Sequence, residues 1–176
     1  MTIDFRGLFQ QTKPDVVAVR AEERRTQHVQ RDIYDSHRHR IFSVAFYMTG
    51  NEVHAEEILT NTFVQAFTVA PRPGRHAIDR ALLSQLRSRF QISPVSTAVT
   101  VPESGQHLEK NILRTHLEEA LQHLPPVERL LFLLRDVEGY PLEEVSSLTE
   151  IPPGEASRIL MSARIRLRSI LADMQS

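Results

Sequence analysis

The stretch PLEEVSSLTEIPPGEASRILMSARIRLRSIL, Pro141 to Leu171, holds two apolar stripes separated by a tight turn. Leu142, Val145 and Leu148 follow a first-turn proline, and Ala156, Leu160, Ala163, Leu167 and Leu171 follow the turn. Spacings of three and four put each set on one face of a helix. Neither helix continues through Ile151–Gly154, because Pro152 and Pro153 lack the N–H a helix interior uses and restrict the residue before them. A short helix, a tight turn and a longer helix predict a helix-turn-helix, the arrangement whose second helix enters the major groove of DNA.

Working upstream, VERLLFLLRDV (Val127–Val137) predicts a helix ending at Gly139. Before it, LEKNILRTHLEEALQHL carries the stripe Leu113, Leu117, Leu121 and Leu124, stopped by Pro125 and Pro126. A second helical block lies nearer the N-terminus. Ile33, Ile41, Val44, Ala45 and Met48 form one stripe with Gly50 as its C-cap, and Asn51 then caps a helix carrying Ala55, Ile58, Leu59, Thr62, Phe63, Ala66 and Phe67. After APRPGRH, a third helix turns Ile78, Leu82, Leu83, Leu86 and Phe90 inward and Arg80, Arg87 and Arg89 outward. Between the blocks, SPVSTAVTVPESGQ (Ser93–Gln106) lacks helical periodicity. The expected fold is all-α, with two small helical domains and a flexible linker: an N-terminal extension at 1–27, a helical domain at 28–93, a linker at 94–108 and a helix-turn-helix domain at 109–176.

Composition narrows the function. With 41% hydrophobic and 24% charged residues the chain is expected to be globular, and aromatics at only 6% leave a core of Leu, Ile, Val and Ala. A formal net charge of -1 excludes polyanion binding through bulk charge, so nucleic-acid contact must come from local clusters. The absence of cysteine removes disulfides, thiolate metal sites and a thiol nucleophile. His37 and His39 fall on different helix faces without a completing carboxylate, and neither a glycine-rich phosphate loop nor a nucleophile elbow occurs. No metal, cofactor or catalytic site is expected. The longest apolar run, Ile41–Met48, is far short of a membrane span and the N-terminus lacks a signal-peptide pattern, which predicts a cytoplasmic protein without membrane insertion.

Two stretches together resemble the extracytoplasmic-function (ECF) group of bacterial RNA polymerase sigma factors. DIYDSHRHRIFSVAFYMTGNEVHAEEILTNTFVQAF (Asp32–Phe67) is similar to sigma region 2, and LEEALQHLPPVERLLFLLRDVEGYPLEEVSSLTEIPPGEASRILMSARIRLRSIL (Leu117–Leu171) is similar to region 4. The second match is the specific one, since LP, ER, FLLRDVEGY, EEV, IPPG and ARIRLRSIL stand in register. The resemblance implies that region 2 docks on the β′ clamp of core RNA polymerase and melts the downstream promoter element. Region 4 would contact the β flap and read the upstream element, and an anti-sigma factor would control the whole. Polymerase, not this chain, would supply the chemistry of transcription initiation.

On that resemblance, Glu56, Glu57, Asn61, Phe63 and Gln65 are the polymerase-binding candidates. The downstream element would fall to Arg80, Arg87, Arg89 and Phe90, and the upstream element to Glu155, Ser157, Arg158, Ile159, Met161, Ser162, Arg164 and Arg166. Each set has a plainer reading. Glu56 and Glu57 also complement a helix N-terminus, a basic face on the third helix also serves solvation, and Ile159 and Met161 suit either thymine methyls or a protein. The chain departs from the family where it carries His54, Thr60 and Asn61 at positions usually acidic or amide. It also lacks the Trp usual near the start of the third helix, where flipped bases stack and where Ala81 or Leu82 stands instead. In the last helix Ser157, Arg158 and Ile159 replace the usual Lys, Ser and Arg. These departures leave a rival: a sigma-like decoy that binds an anti-sigma factor or polymerase without initiating transcription.

Overall fold

The computed structural model describes residues 16–92 and 114–174, and all regular structure among them is helical. α1 (Val16–Thr49) is followed by α2 (Glu52–Val69) and α3 (Arg75–Arg89). After the undescribed segment come α4 (Arg114–Gln122), α5 (Pro126–Phe132) with a π-helical turn over Leu133–Val137, α6 (Leu142–Thr149) and α7 (Pro153–Asp173). The linker expected at 94–108 lies outside the described residues. α1 begins inside the expected extension and runs unbroken across residue 27, since it contains neither glycine nor proline.

Local chemistry sets the ends of these helices. Gly50 takes φ +64 and donates its N–H to the Phe46 carbonyl at 2.7 Å, closing α1; the Asn51 side chain then accepts from the His54 N–H at 3.0 Å, opening α2. Ile41, Val44, Ala45 and Met48 of α1 pack with Ala55, Ile58, Leu59, Phe63 and Ala66 of α2 and with Ile78, Leu82, Leu83 and Leu86 of α3, which closes the first bundle. At the end of the π turn Glu138 donates to the Leu133 carbonyl at 2.9 Å and Tyr140 to that of Leu134 at 3.0 Å, with Gly139 at φ +73. That reversal folds the chain back and buries Tyr140. α6 ends at Glu150, a non-glycine residue at φ +61, and α7 starts from Pro152.

The two bundles are not separate. α1 packs on α4, α5 and the π turn, and α3 packs on α6. Arg129, at 6% exposure, donates to the carbonyls of Met48 (2.7 Å), Gln122 (2.6 Å) and Leu124 (3.0 Å) and to Gln122 Oε1 (2.6 Å). Gln122 Nε2 in turn donates to the Tyr47 carbonyl at 2.8 Å. Among the described residues no helix is long and apolar enough to cross a membrane.

A Cβ built on Gly50 would lie 2.9 Å from Gln122 Cδ, on a backbone that disfavours any L side chain. Gly50→Ala should therefore lower stability by about 1–2 kcal/mol, read as a reduced urea midpoint, with the loss greater than that of Gly74→Ala, whose Cβ meets nothing.

Candidate nucleic-acid interface

α7 is the helix the sequence assigns to the major groove, and its packing decides which side chains it offers. Ala156, Leu160, Ala163, Leu167 and Leu171 are buried, as the stripe predicts. Ile159 joins them at 8% exposure, and Ser162 is buried with its hydroxyl donating to Glu128 Oε1 at 2.7 Å. The expectation that Ile159 and Ser162 meet DNA is corrected by this burial. Both extend the face that α7 turns to α5, because 159 lies three residues after 156 and 162 lies three after it. The solvent stripe comprises Ser157, Arg158, Met161, Arg164 and Arg168, with Glu155 half-buried at its start.

The cations on this helix are not equivalent. Arg164 grips Asp136 with both arms, Nε to Oδ2 at 2.8 Å and Nη2 to Oδ1 at 2.6 Å, and that bond raises its pKa. Arg166 lies 3.3 Å from the buried carboxylate of Glu128 and is half-buried, so it neutralises an interior charge rather than facing a groove. Arg158 makes only a long 3.4 Å contact to the Gly154 carbonyl and stays exposed, as does Arg168. Met161, 65% exposed, sits between them as the apolar centre of the stripe.

On α3, Arg80 is exposed. Arg87 donates to the Thr149 carbonyl at 2.9 Å and lies 3.4 Å from Glu150 Oε1, so a residue expected on one promoter element touches the turn of the helix-turn-helix. Arg89 pairs with Glu57 at 2.7 Å, joining a DNA candidate to a polymerase candidate. Phe90, the remaining downstream-element candidate, is the C-cap of α3 and packs half-buried against the core. On α2, Glu56, Glu57 and Asn61 are exposed, while Gln65 accepts from Gln85 Nε2 at 3.0 Å. Phe63 is buried with its ring centroid 4.8 Å from that of Tyr34; it is core, not contact.

A further polar cluster was not foreseen. Asp79, 2% exposed, accepts from Arg40 Nη1 at 2.5 Å and from the Tyr140 hydroxyl at 2.8 Å. Arg40 Nη1 also donates to that hydroxyl. Arg75 lies with its guanidinium 4.3 Å from the Tyr140 ring centroid and its Nε 3.7 Å from Asp79. One signal was present: Asp79 falls on the stripe of Leu82, Leu83 and Leu86, where a carboxylate must find partners. Burial pushes the Tyr140 phenol from 10.0 up to about 12, with the Arg75 contact opposing that rise. Among the described residues no group of three or more His, Cys, Asp or Glu could hold a metal ion.

Residues 114–167 match the family described as Sigma-70, region 4. The chain is 26% identical over 160 residues to the ECF RNA polymerase sigma factor SigE of Mycolicibacterium smegmatis, covering 82% of this chain and 62% of that protein. It is 28% identical over 157 residues to the RNA polymerase sigma factor CarQ of Myxococcus xanthus, covering 82% of this chain and 90% of that one. The chain thus spans a little under two thirds of the length of the first relative and nearly all of the second.

Three variants check these assignments. In Tyr140→Phe, the tyrosinate absorbance step near pH 12 should vanish. Since the folded phenol ionises above its unfolded value, the stabilisation it gives is complete below about pH 10 and is lost as pH climbs through about 12. On DNA, Arg168→Ala should reduce the salt slope of binding by roughly one counterion. Arg166→Ala should instead lower the melting temperature, because it leaves Glu128 buried without its cation.

Proposed function

We propose, from the premise that the chain belongs to the ECF sigma factors, that it joins core RNA polymerase and directs it to a restricted set of promoters, acting as a specificity subunit. The observation that carries this reading is the match of residues 114–167 to region 4, together with a last helix, α7, that turns Ser157, Arg158, Met161 and Arg168 to solvent. Arg158 is the base-reading candidate, since a guanidinium can bond two acceptors of guanine in the major groove and discriminate by roughly 1–3 kcal/mol. Arg168 and Arg80 supply phosphate contacts, which position without reading sequence.

On α2, Glu56, Glu57 and Asn61 form the polar face that meets the polymerase clamp, and Val64, exposed beside them, adds apolar area. The α5–α6 side of the C-terminal part approaches the β flap. An anti-sigma protein is the expected regulator. It would compete for the same α2 face. Promoter melting relies on cations and not on stacked rings, because the chain has no Trp and Phe90 is packed inward.

Purified chain mixed with core RNA polymerase should give discrete run-off transcripts from genomic fragments. Failure to bind core at micromolar concentration would sink the reading, and binding without any transcript would mark a regulator that occupies polymerase instead. The double reversal Glu56→Lys, Glu57→Lys should weaken core binding by roughly tenfold or more. Arg158→Ala should change which promoters are used, and an equal loss on every sequence would contradict its base-reading role.

A further inference from the structure

Asp79 and Tyr140 are among the most buried polar groups described, yet they come from opposite halves of the chain. The site that receives Tyr140 is built entirely by the first bundle: Arg40 from α1, and Arg75 and Asp79 from α3. Its chemistry suits a phenol closely. The carboxylate accepts the hydroxyl proton, Arg40 donates to the hydroxyl oxygen, and Arg75 covers the ring face. Without Tyr140, Asp79 would lose its hydroxyl donor and Arg75 its aromatic platform. Around this centre the same two surfaces meet again at His76 Nε2 and Glu144 Oε1 (3.7 Å) and at Arg87 with Thr149 and Glu150.

We propose that the Arg40–Arg75–Asp79 site is a receptor for the Tyr140 turn, and that this docking holds the free chain closed with Arg87 bonded to the turn of the helix-turn-helix. The consequence for function rests on the sigma reading: the two halves must come apart for α3 and α7 to reach separate DNA elements, so polymerase binding works against the latch. In the closed form Arg87 bonds the Thr149 carbonyl and the Glu150 carboxylate, so a nucleic acid competes with both for its guanidinium.

The chain has no native cysteine, so a donor and an acceptor dye can be placed on Ser84→Cys and Ser147→Cys, exposed residues of α3 and α6. In the free chain, energy transfer should be high. Tyr140→Phe keeps the ring and removes only the hydroxyl, and Asp79→Asn keeps the shape and removes the charge. Each should raise the open fraction roughly tenfold, the expected size of a lost hydrogen bond to a charged group, with helix content by circular dichroism unchanged. A small-angle scattering radius that grows in the same variants is the second readout. Unchanged transfer and unchanged radius in both folded variants would overturn the latch. Adding core polymerase to the labelled wild-type chain should lower transfer; binding with no fall would overturn the claim that opening accompanies it. Should core fail to bind at all, the sigma reading falls while the free-chain measurements still decide the latch.

Discussion

A buried guanidinium, paired with no carboxylate among the described residues, ties the first bundle to the helices that follow it. Arg129 is enclosed by the carbonyls of Met48, Gln122 and Leu124 and by the side chain of Gln122. Met48 and Gln122 stand in the last turns of α1 and α4, where backbone carbonyls lack helical partners and carry the negative end of the helix dipole. One cation thereby satisfies two helix ends. The arrangement is costly in solvation, and burial lowers the Arg129 pKa accordingly. It persists because removing the cation would leave several buried carbonyls unpaired. This contact sets α4 and α5 against the end of α1, and the Tyr140 cluster and the α3–α6 contacts place the later helices on the first bundle.

Much of this architecture was legible in the sequence, and the reason is periodicity. The apolar stripes of α2, α3 and α7, the Gly50 and Asn51 boundary and the helix-turn-helix itself follow from spacing and capping, which are local. Periodicity also contained a correction that resemblance obscured. Ile159 stands three residues from Ala156 and four from Ala163, so the helix geometry buries it whatever a related protein carries there. The polar interior was less readable. Asp79 sits on an apolar stripe and so announces a partner, but its partners Arg40 and Tyr140 lie 39 and 61 residues away in sequence. Likewise Ser162 meets Glu128 across 34 residues, and nothing near either shows the pairing.

The candidate site was legible as a set of positions and not as a set of available charges. Of the basic residues on α7, Arg164 and Arg166 are engaged by Asp136 and Glu128, leaving Arg158 and Arg168 as the exposed cations that no carboxylate among the described residues engages. On α3, Arg87 and Arg89 are held by Glu150 and Glu57. A protein with a formal net charge of -1 balances its arginines against its own carboxylates, so affinity for a polyanion depends on which pairs are exposed and weak.

The bridge between Arg89 and Glu57 has such a character, with Glu57 largely exposed. It joins the α2 face proposed for polymerase to the α3 face proposed for DNA. Any ligand that takes the carboxylate frees the guanidinium, and any ligand that takes the guanidinium frees the carboxylate. Thermodynamic reciprocity then requires each to ease the binding of the other by the same factor. An exposed pair is worth at most about 1 kcal/mol, so the factor is no more than about fivefold. Assembly on two partners would in this way be cooperative through a single ion pair, with no change of shape.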